Sequence, residues 1–254
     1  MKDAAIDYMP LCQYESLAEL EDYYWWHQGK FKTAISILQP HIKNISNPIL
    51  YMDVGCGTGG FLKGLSNAFN FQQIIGLDGS PAAIDFMHKR GLPAQQVDLR
   101  NSFLEQYRES CGLITAMDVF EHMDDEPGFL KMVHHYLEKN GLFLLSVPAY
   151  NFLFSSWDKT FGHKRRYTKQ GLSSLLRANN FNLLKATYVF SYILPIVVIR
   201  RFVEQKYTET TCEFPRLPRF VNATLLKFSN IEAQVIQHTD IPFGLSVMCL
   251  AQKR

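Results

Sequence analysis

The apolar run at residues 49–54, Ile-Leu-Tyr-Met-Asp-Val, passes without a break into Gly55-Cys-Gly-Thr-Gly-Gly60. Such a junction leaves the backbone few choices. A short apolar run bounded by glycines reads as a buried strand. The glycines admit the positive φ values of a sharp turn and let another group approach the backbone closely. A helix starting from such a turn points its first N–H groups outward. The junction therefore predicts strand, tight loop and helix, with a ligand beside the loop.

The same unit recurs along the chain. Strands are expected at 73–77, 94–97, 111–117 and 142–147. Helices are expected at 61–69, 82–90 and 127–137, the last closed by Lys139-Asn140-Gly141. Residues 168–180 read as a further helix with Thr168 as N-cap, 183–190 as a sixth strand and 243–251 as the last. Ahead of the first strand, residues 14–26 read as an acidic, aromatic helix and 30–39 as an amphipathic one ended by Pro40. Short apolar strands alternating with helices predict an α/β fold with a mostly parallel sheet, helices on both faces and right-handed crossovers. A chain of 254 residues suffices for one such domain and is short for two. We divide it into an N-terminal helical lid (1–45), a core sheet (46–190 and 240–254) and a helical insertion or cap (191–239).

Composition narrows the partners. With 26 Lys and Arg against 24 Asp and Glu, the net charge is +2, which argues against nucleic acid as a partner. The five cysteines form no Cys-x-x-Cys pair, so a structural zinc site is not expected. Their odd number fits a reducing compartment. Residues 1–7 contain no apolar signal core, and the expected location is the cytoplasm.

Gly55-x-Gly57-x-x-Gly60 formally matches the dinucleotide fingerprint. The carboxylates around it point elsewhere. Asp53, two residues before the first glycine, would repel a pyrophosphate and would favour a ligand carrying an ammonium group and a sulfonium. Asp78 ends the second strand, where a carboxylate can accept hydrogen bonds from both ribose hydroxyls. Asp98 follows the third, in reach of an adenine amino group. Ligands of such sheets bind beyond the carboxyl ends of the strands, where Asp118 also falls. S-adenosylmethionine has both cationic groups, a ribose and an adenine, and no phosphate.

With these residues in place, the chain resembles the class I S-adenosylmethionine-dependent methyltransferases. Asp53-Val-Gly-Cys-Gly-Thr-Gly-Gly60 is similar to their motif I, Ile75-Gly-Leu-Asp-Gly-Ser-Pro81 to the ribose-binding segment, and Gln96-Val-Asp-Leu99 to the adenine-binding one. Met117-Asp-Val-Phe-Glu-His122 is similar to the segment after the fourth strand. The resemblance implies a Rossmann-like seven-stranded sheet whose last strand is antiparallel, S-adenosylmethionine as cofactor and S-adenosylhomocysteine as product. It implies cofactor contacts from Asp53, Gly55, Cys56, Gly57, Gly59, Asp78, Gly79, Asp98, Leu99, Met117 and Asp118. Tyr23-Tyr-Trp-Trp-His27, Gly162-His-Lys-Arg-Arg-Tyr167 and Pro242-Phe-Gly-Leu-Ser246 resemble type 11 and type 23 methyltransferases. In these a basic residue near the cofactor follows the Trp-Trp segment. Lys30 holds that place here, as a point charge where an arginine is common.

Several residues keep two readings. Glu121 and His122, with Asp118 one turn earlier, resemble the acid-x-x-Glu-His arrangement that ubiquinone-type O-methyltransferases associate with a divalent ion. We expect no metal here, a loop-shaping role for the pair, and His122 as a candidate base. His163, Arg165, Arg166 and Tyr167 could hold an acidic acceptor or form a solvated loop. His163 is the second candidate base, and Arg166 and Tyr167 are candidate acceptor contacts. Trp25 and Trp26 could cover the cofactor or pack a helix, with Trp25 the candidate acceptor contact. Residues 186–199 carry no charge, yet fourteen residues are too few to span a bilayer. With the amphipathic stretch 220–236 they could cap the acceptor pocket or touch a membrane surface, which would place the protein at the inner membrane. The expected activity is methyl transfer to a small-molecule or lipid-linked, glycolipid-like acceptor, on oxygen. The alternatives are a nicotinamide-dependent oxidoreductase and a non-catalytic S-adenosylmethionine-binding protein.

Overall fold

The computed structural model describes residues 11–44, 49–100, 103–204 and 216–254. Seven strands form one sheet in the order β3-β2-β1-β4-β5-β7-β6. They are β1 (Leu50–Val54), β2 (Gln73–Asp78), β3 (Ala94–Gln96), β4 (Cys111–Met117), β5 (Leu137–Pro148), β6 (Phe181–Val189) and β7 (Ser246–Lys253). β1, β2, β3, β4 and β5 pair in parallel, and β7 lies antiparallel between β5 and β6.

The period-two alternation of strand side chains divides the core in two. Met52, Val54, Ile114, Phe143, Leu145, Val247 and Cys249 face one layer. There they meet Phe129, Leu130 and Val133 of helix α5 (Glu126–Tyr136) and Leu172 and Leu176 of α7 (Lys169–Ala178). Tyr51, Leu113, Leu142, Leu144, Met248 and Leu250 face the other. That layer contains Leu62 and Leu65 of α3 (Gly60–Ala68), Ala34, Ile37 and Leu38 of α2 (Trp25–Leu38), and Ile236 of α9 (Arg219–His238). Because both faces are covered, the strands read as continuous apolar runs. α4 (Pro81–Lys89) joins β2 to β3, and a short helix, α6 (Ser156–Thr160), follows β5. The stretch 191–239 holds α8 (Leu194–Glu204) and α9, with residues 205–215 outside the described part.

Three expectations are corrected. The helix expected over 14–26 is interrupted: α1 spans Leu11–Leu20, and α2 starts afresh at Trp25 after an extended Tyr24. The break aims Glu21 at Thr58 and Gly60, partners distant in sequence. Lys139-Asn140-Gly141 does not close α5. The helix ends at Tyr136, and Asn140, at φ 65°, sits inside β5 between the Leu137–Cys111 pair and the register resumed at Leu142. The last strand begins at Ser246, not Phe243, and the approach to it bends tightly: a Cβ on Gly244 would lie 2.4 Å from the Val189 carbonyl oxygen.

α9 is joined to the sheet by one buried carboxylate. Glu232 accepts from the backbone N–H groups of Phe190 (2.5 Å) and Ser191 (2.8 Å) and from the Ser191 hydroxyl (2.5 Å). These bonds fix Phe190 in the left-handed region, at φ 64°, with its ring stacked on Trp26 at 4.2 Å. Glu232→Ala leaves three donors without their acceptor and should cost about 2–4 kcal/mol. Urea unfolding measures this; an unchanged midpoint would mean that α9 is held by packing alone.

Candidate active site

β1 delivers the glycine loop to the carboxyl edge of the sheet. Gly55 and Gly59 both have positive φ, 73° and 86°. A Cβ on the first would meet Val119 at 2.2 Å, and one on the second would meet the Met87 sulfur at 2.2 Å. The loop is thus clamped between the segment after β4 and helix α4.

Three buried carboxylates surround it. Asp53, 2% exposed, lies opposite Thr115 in the β1–β4 register and accepts from the Thr115 hydroxyl at 2.5 Å. Burial pushes the Asp53 carboxyl up to about 7; the Thr115 bond opposes the shift, and the charges of Asp78 and Glu21 add to it. Asp78 accepts from the amides of Gly57 and Ser80, both at 2.9 Å. Burial also raises its carboxyl against these bonds. Glu21 accepts from the Thr58 hydroxyl at 2.8 Å and the Gly60 amide at 3.1 Å, and pairs with Arg90 at 2.6 Å. Its carboxyl is raised by burial, with Arg90 opposing.

This arrangement decides what the loop can hold. In a dinucleotide site, the amides at the head of the helix face the pyrophosphate. Here the Gly57 and Gly60 amides are spent on Asp78 and Glu21. An entering phosphate would meet three carboxylates and lose two donors. A phosphate-free ligand with an ammonium and a sulfonium meets the opposite field, which lowers the cost of ionising Asp53. The residues present fit S-adenosylmethionine and do not fit NAD.

The remaining expected contacts occupy the same edge. Asp118, at φ 56°, follows β4, accepts from the Ser146 hydroxyl at 3.3 Å and is ion-paired with Lys30 of α2. Lys30 is 4% exposed, and its ammonium also lies 4.9 Å from the centre of the Trp26 ring. Lys30 therefore reaches the site, but its charge is directed to Asp118. Asp98 lies beyond β3 and binds the Arg100 guanidinium at 3.0 and 3.2 Å. Leu99 and Cys56 are buried, Met117 ends β4 half-buried, and the Gly79 carbonyl accepts from Gln96 at 3.2 Å. Trp25 is buried edge-on against Phe190 and Tyr192, and its amide donates to Asn222. Its contacts are those of packing between α2 and the cap.

A second cluster stands where β4 meets the segment after β5. Asp158, fully buried, accepts from His163 Nδ1 at 2.9 Å and from the Arg166 guanidinium at 2.7 and 3.1 Å. Burial works to raise its carboxyl, but the His163 and Arg166 bonds prevail and hold it at about 2. The Asp158 bond leaves His163 Nε2 as the accepting nitrogen. Nε2 lies 3.8 Å from Glu121, beyond hydrogen-bond range. Glu121 is fully buried and neither of its oxygens has a hydrogen-bond partner; burial, then the charge of Asp118, pushes its carboxyl well up. His122 donates from Nδ1 to the Gly162 carbonyl at 3.2 Å, and burial first, then His163, lowers it to about 4. One ligand atom each from Glu121, His122 and His163 lie within 4.8 Å of one another, a donor set of the type that takes a divalent ion.

The cations of the basic loop are paired, Lys164 at the surface and Arg166 in the interior. Lys164 is paired with Asp124, Arg165 with Glu126 at 2.9 Å and Arg166 with Asp158. The Tyr167 hydroxyl donates to Glu126 at 2.6 Å, and its ring stacks on Phe120. Arg166 and Tyr167 thus shape the site through their carboxylate partners and present no unpaired charge to an acceptor. Sequence reasoning missed Glu21, Thr115 and Asp158. Asp158 stands five residues before His163, a spacing with no helical or strand signature.

Asp53 gives a direct pH test. Its folded-state pKa is raised, so the native chain holds this proton more tightly than the unfolded one. Its stabilising contribution is complete below about pH 4 and is lost as pH rises through about 7. Asp53→Asn has no such loss. The melting temperature of the variant minus that of the wild type should rise by about 3 °C or more between about pH 5 and pH 8. A constant difference would mean that Asp53 ionises freely.

The comparisons agree with this fold. The type 23 methyltransferase domain model matches residues 25–186. No curated protein sequence matches the chain. Among solved structures, the fold is similar to that in the complex of the Haloferax volcanii Trm112 methyltransferase activator with a methyltransferase (17% identity, 95% of this chain and 93% of that one, TM-score 0.61). It is also similar to an S-adenosylmethionine-dependent methyltransferase of Thermotoga maritima (15%, 96% and 96%, 0.57). A third is geranyl diphosphate C-methyltransferase from Streptomyces coelicolor A3(2), in complex with Mg2+, geranyl diphosphate and S-adenosyl-L-homocysteine (13%, 87% and 80%, 0.55). With well over half its length matched, this chain belongs to the methyltransferase domain family and is a class I S-adenosylmethionine-dependent methyltransferase.

Proposed function

We propose that the protein methylates a hydroxyl oxygen of a neutral small-molecule or glycolipid-like acceptor, with His163 as general base and without a metal. The observation that carries this reading is the 2.9 Å bond from His163 Nδ1 to the buried Asp158. S-adenosylmethionine, when bound, supplies a methyl group already activated by its sulfonium, so the protein's tasks are to position, to exclude water and to receive a proton. An amine needs only to be neutral, whereas a hydroxyl gains from a base. Asp158 holds the His163 imidazole in one tautomer with Nε2 as the accepting nitrogen. It then stabilises the imidazolium formed when the hydroxyl proton arrives, the oxygen gaining the methyl as the carbon–sulfur bond breaks. Arg166 keeps Asp158 ionised. The His122 ring lies 4.9 Å from that of His163 and is held neutral, with Nδ1 committed to Gly162.

Two further features support the acceptor class. The cations of the basic loop are already paired, which disfavours an acidic or phosphorylated acceptor. The structural neighbours include methyltransferases that act on carbon and nitrogen, so oxygen rests on the His163–Asp158 pair. The oxidoreductase alternative is opposed by Glu21 and Asp53 beside the glycine loop, and the non-catalytic alternative by the family.

The test is transfer of labelled methyl from S-adenosylmethionine to neutral glycolipids and to hydroxylated small molecules, with the product analysed by mass spectrometry. Label should appear as a methyl ether. His163→Asn should lower turnover about 10²–10⁴-fold while S-adenosylhomocysteine affinity is kept, and EDTA should leave the rate unchanged. Label on nitrogen or carbon, or a His163→Asn variant of undiminished rate, would defeat the reading.

A further inference from the structure

α9 buries one face against α2 and the sheet layer, through Ser229, Glu232, Ala233 and Ile236. A helix on the surface of a soluble domain turns a polar stripe to the opposite side. α9 does not. Phe220, Phe228, Ile231 and Val235 recur at helical spacing along its outer face and are 40–74% exposed. At 1.5 Å per residue, the 20-residue helix carries this stripe along a surface about 30 Å long. α8 extends it. Tyr192, in the turn leading into α8, stacks on Phe228 and bonds to Ser229 at 2.7 Å, so α8 starts beside the middle of α9. Its Ile196 and Ile199 are 60% and 66% exposed.

The exposed charge on α9 has one sign. Between residues 216 and 238 the sequence contains a single acid, Glu232, and it is buried beneath α9. The exposed charges of α9 are the cations Arg219 and Lys227, and Arg200 is exposed on α8. Just before α9, Arg216 pairs with Glu19 at the surface. A cleft of about 590 Å³ lined by Tyr23, Tyr24, Arg216, Arg219 and Asn222 opens at the head of the helix, next to Phe220.

We propose that the outer faces of α8 and α9 dock on an anionic lipid bilayer, with the apolar stripe in the interface and Arg219 and Lys227 among the headgroups. An apolar face with exposed cations, on a helix whose single acid is buried, is what an anionic membrane surface attracts. A second copy of this chain fits less well. A two-fold contact would bring each patch against itself, and α9 offers no exposed acid to pair with Arg219 or Lys227 across it. No helix of the described residues is long and apolar enough to cross a membrane, so the contact is peripheral. This docking is independent of which molecule accepts the methyl group.

The experiment is co-sedimentation of the full chain with phosphatidylcholine vesicles, alone or with about 30% phosphatidylglycerol. The protein should pellet with the anionic vesicles, less so at high salt, and stay in solution with the neutral ones. Ile199→Glu with Ile231→Glu should weaken anionic-vesicle binding about ten-fold or more and leave S-adenosylhomocysteine binding unchanged. Arg219→Glu with Lys227→Glu, at exposed polar positions, should do the same and serves if the first variant does not fold. Absence of pelleting with anionic vesicles, equal pelleting with neutral ones, or indifference to both variants overturns the proposal. So does a dimer seen by light scattering that the isoleucine variant dissociates, in a protein that ignores vesicles.

Discussion

Buried negative charge at the carboxyl edge of the sheet is the constraint on which the site depends. Asp53, Asp78 and Glu21 are each less than a tenth exposed and crowd one glycine loop. Burying a carboxylate is expensive unless it is hydrogen-bonded or paired, and the fold meets that cost residue by residue. Thr115 serves Asp53, the amides of Gly57 and Ser80 serve Asp78, and Thr58, Gly60 and Arg90 serve Glu21. The compensation is incomplete, since all three carboxyls remain raised. A cationic ligand supplies what is lacking, so the raised carboxyls and the selectivity of the site share one cause.

The outer layers follow from the need to bring a positive charge and a cover to that edge. α2 carries Lys30 to Asp118, and its tryptophans rest on Phe190, whose left-handed backbone is held by Glu232 of α9. α9 is thus connected to the site through three contacts in series, while its outer face remains apolar. On the opposite flank, Glu121 and the Asp158–His163–Arg166 group join the end of β4 to the segment after β5. The site lies between these two assemblies.

The central fold was legible because β1, β2, β4 and β5 carry apolar runs that stop at a glycine, an acid or a proline. Asp53, Asp78, Asp98 and Asp118 could be placed on one edge from that pattern alone. What stayed hidden depends on partners distant in sequence. Nothing near Glu21 announces that it breaks a helix to reach Thr58 and Gly60, thirty-seven and thirty-nine positions away. Lys139-Asn140-Gly141 has the composition of a helix stop, yet the pairing of Leu137 with Cys111 makes it an irregularity inside β5. The cations of 164–166 looked available because Asp124, Glu126 and Asp158 are brought to them only by the fold. Lys30 was expected near the cofactor, and its pairing with Asp118 could not be seen without the placement of α2 beside the end of β4.

The most direct measurement is calorimetric titration of the purified protein with S-adenosylhomocysteine and, in parallel, with NAD. The carboxylate-lined loop predicts micromolar binding of the first and no detectable heat from the second. Binding of NAD alone would contradict the account at its centre, because a pyrophosphate would then be accommodated where Asp53, Asp78 and Glu21 converge.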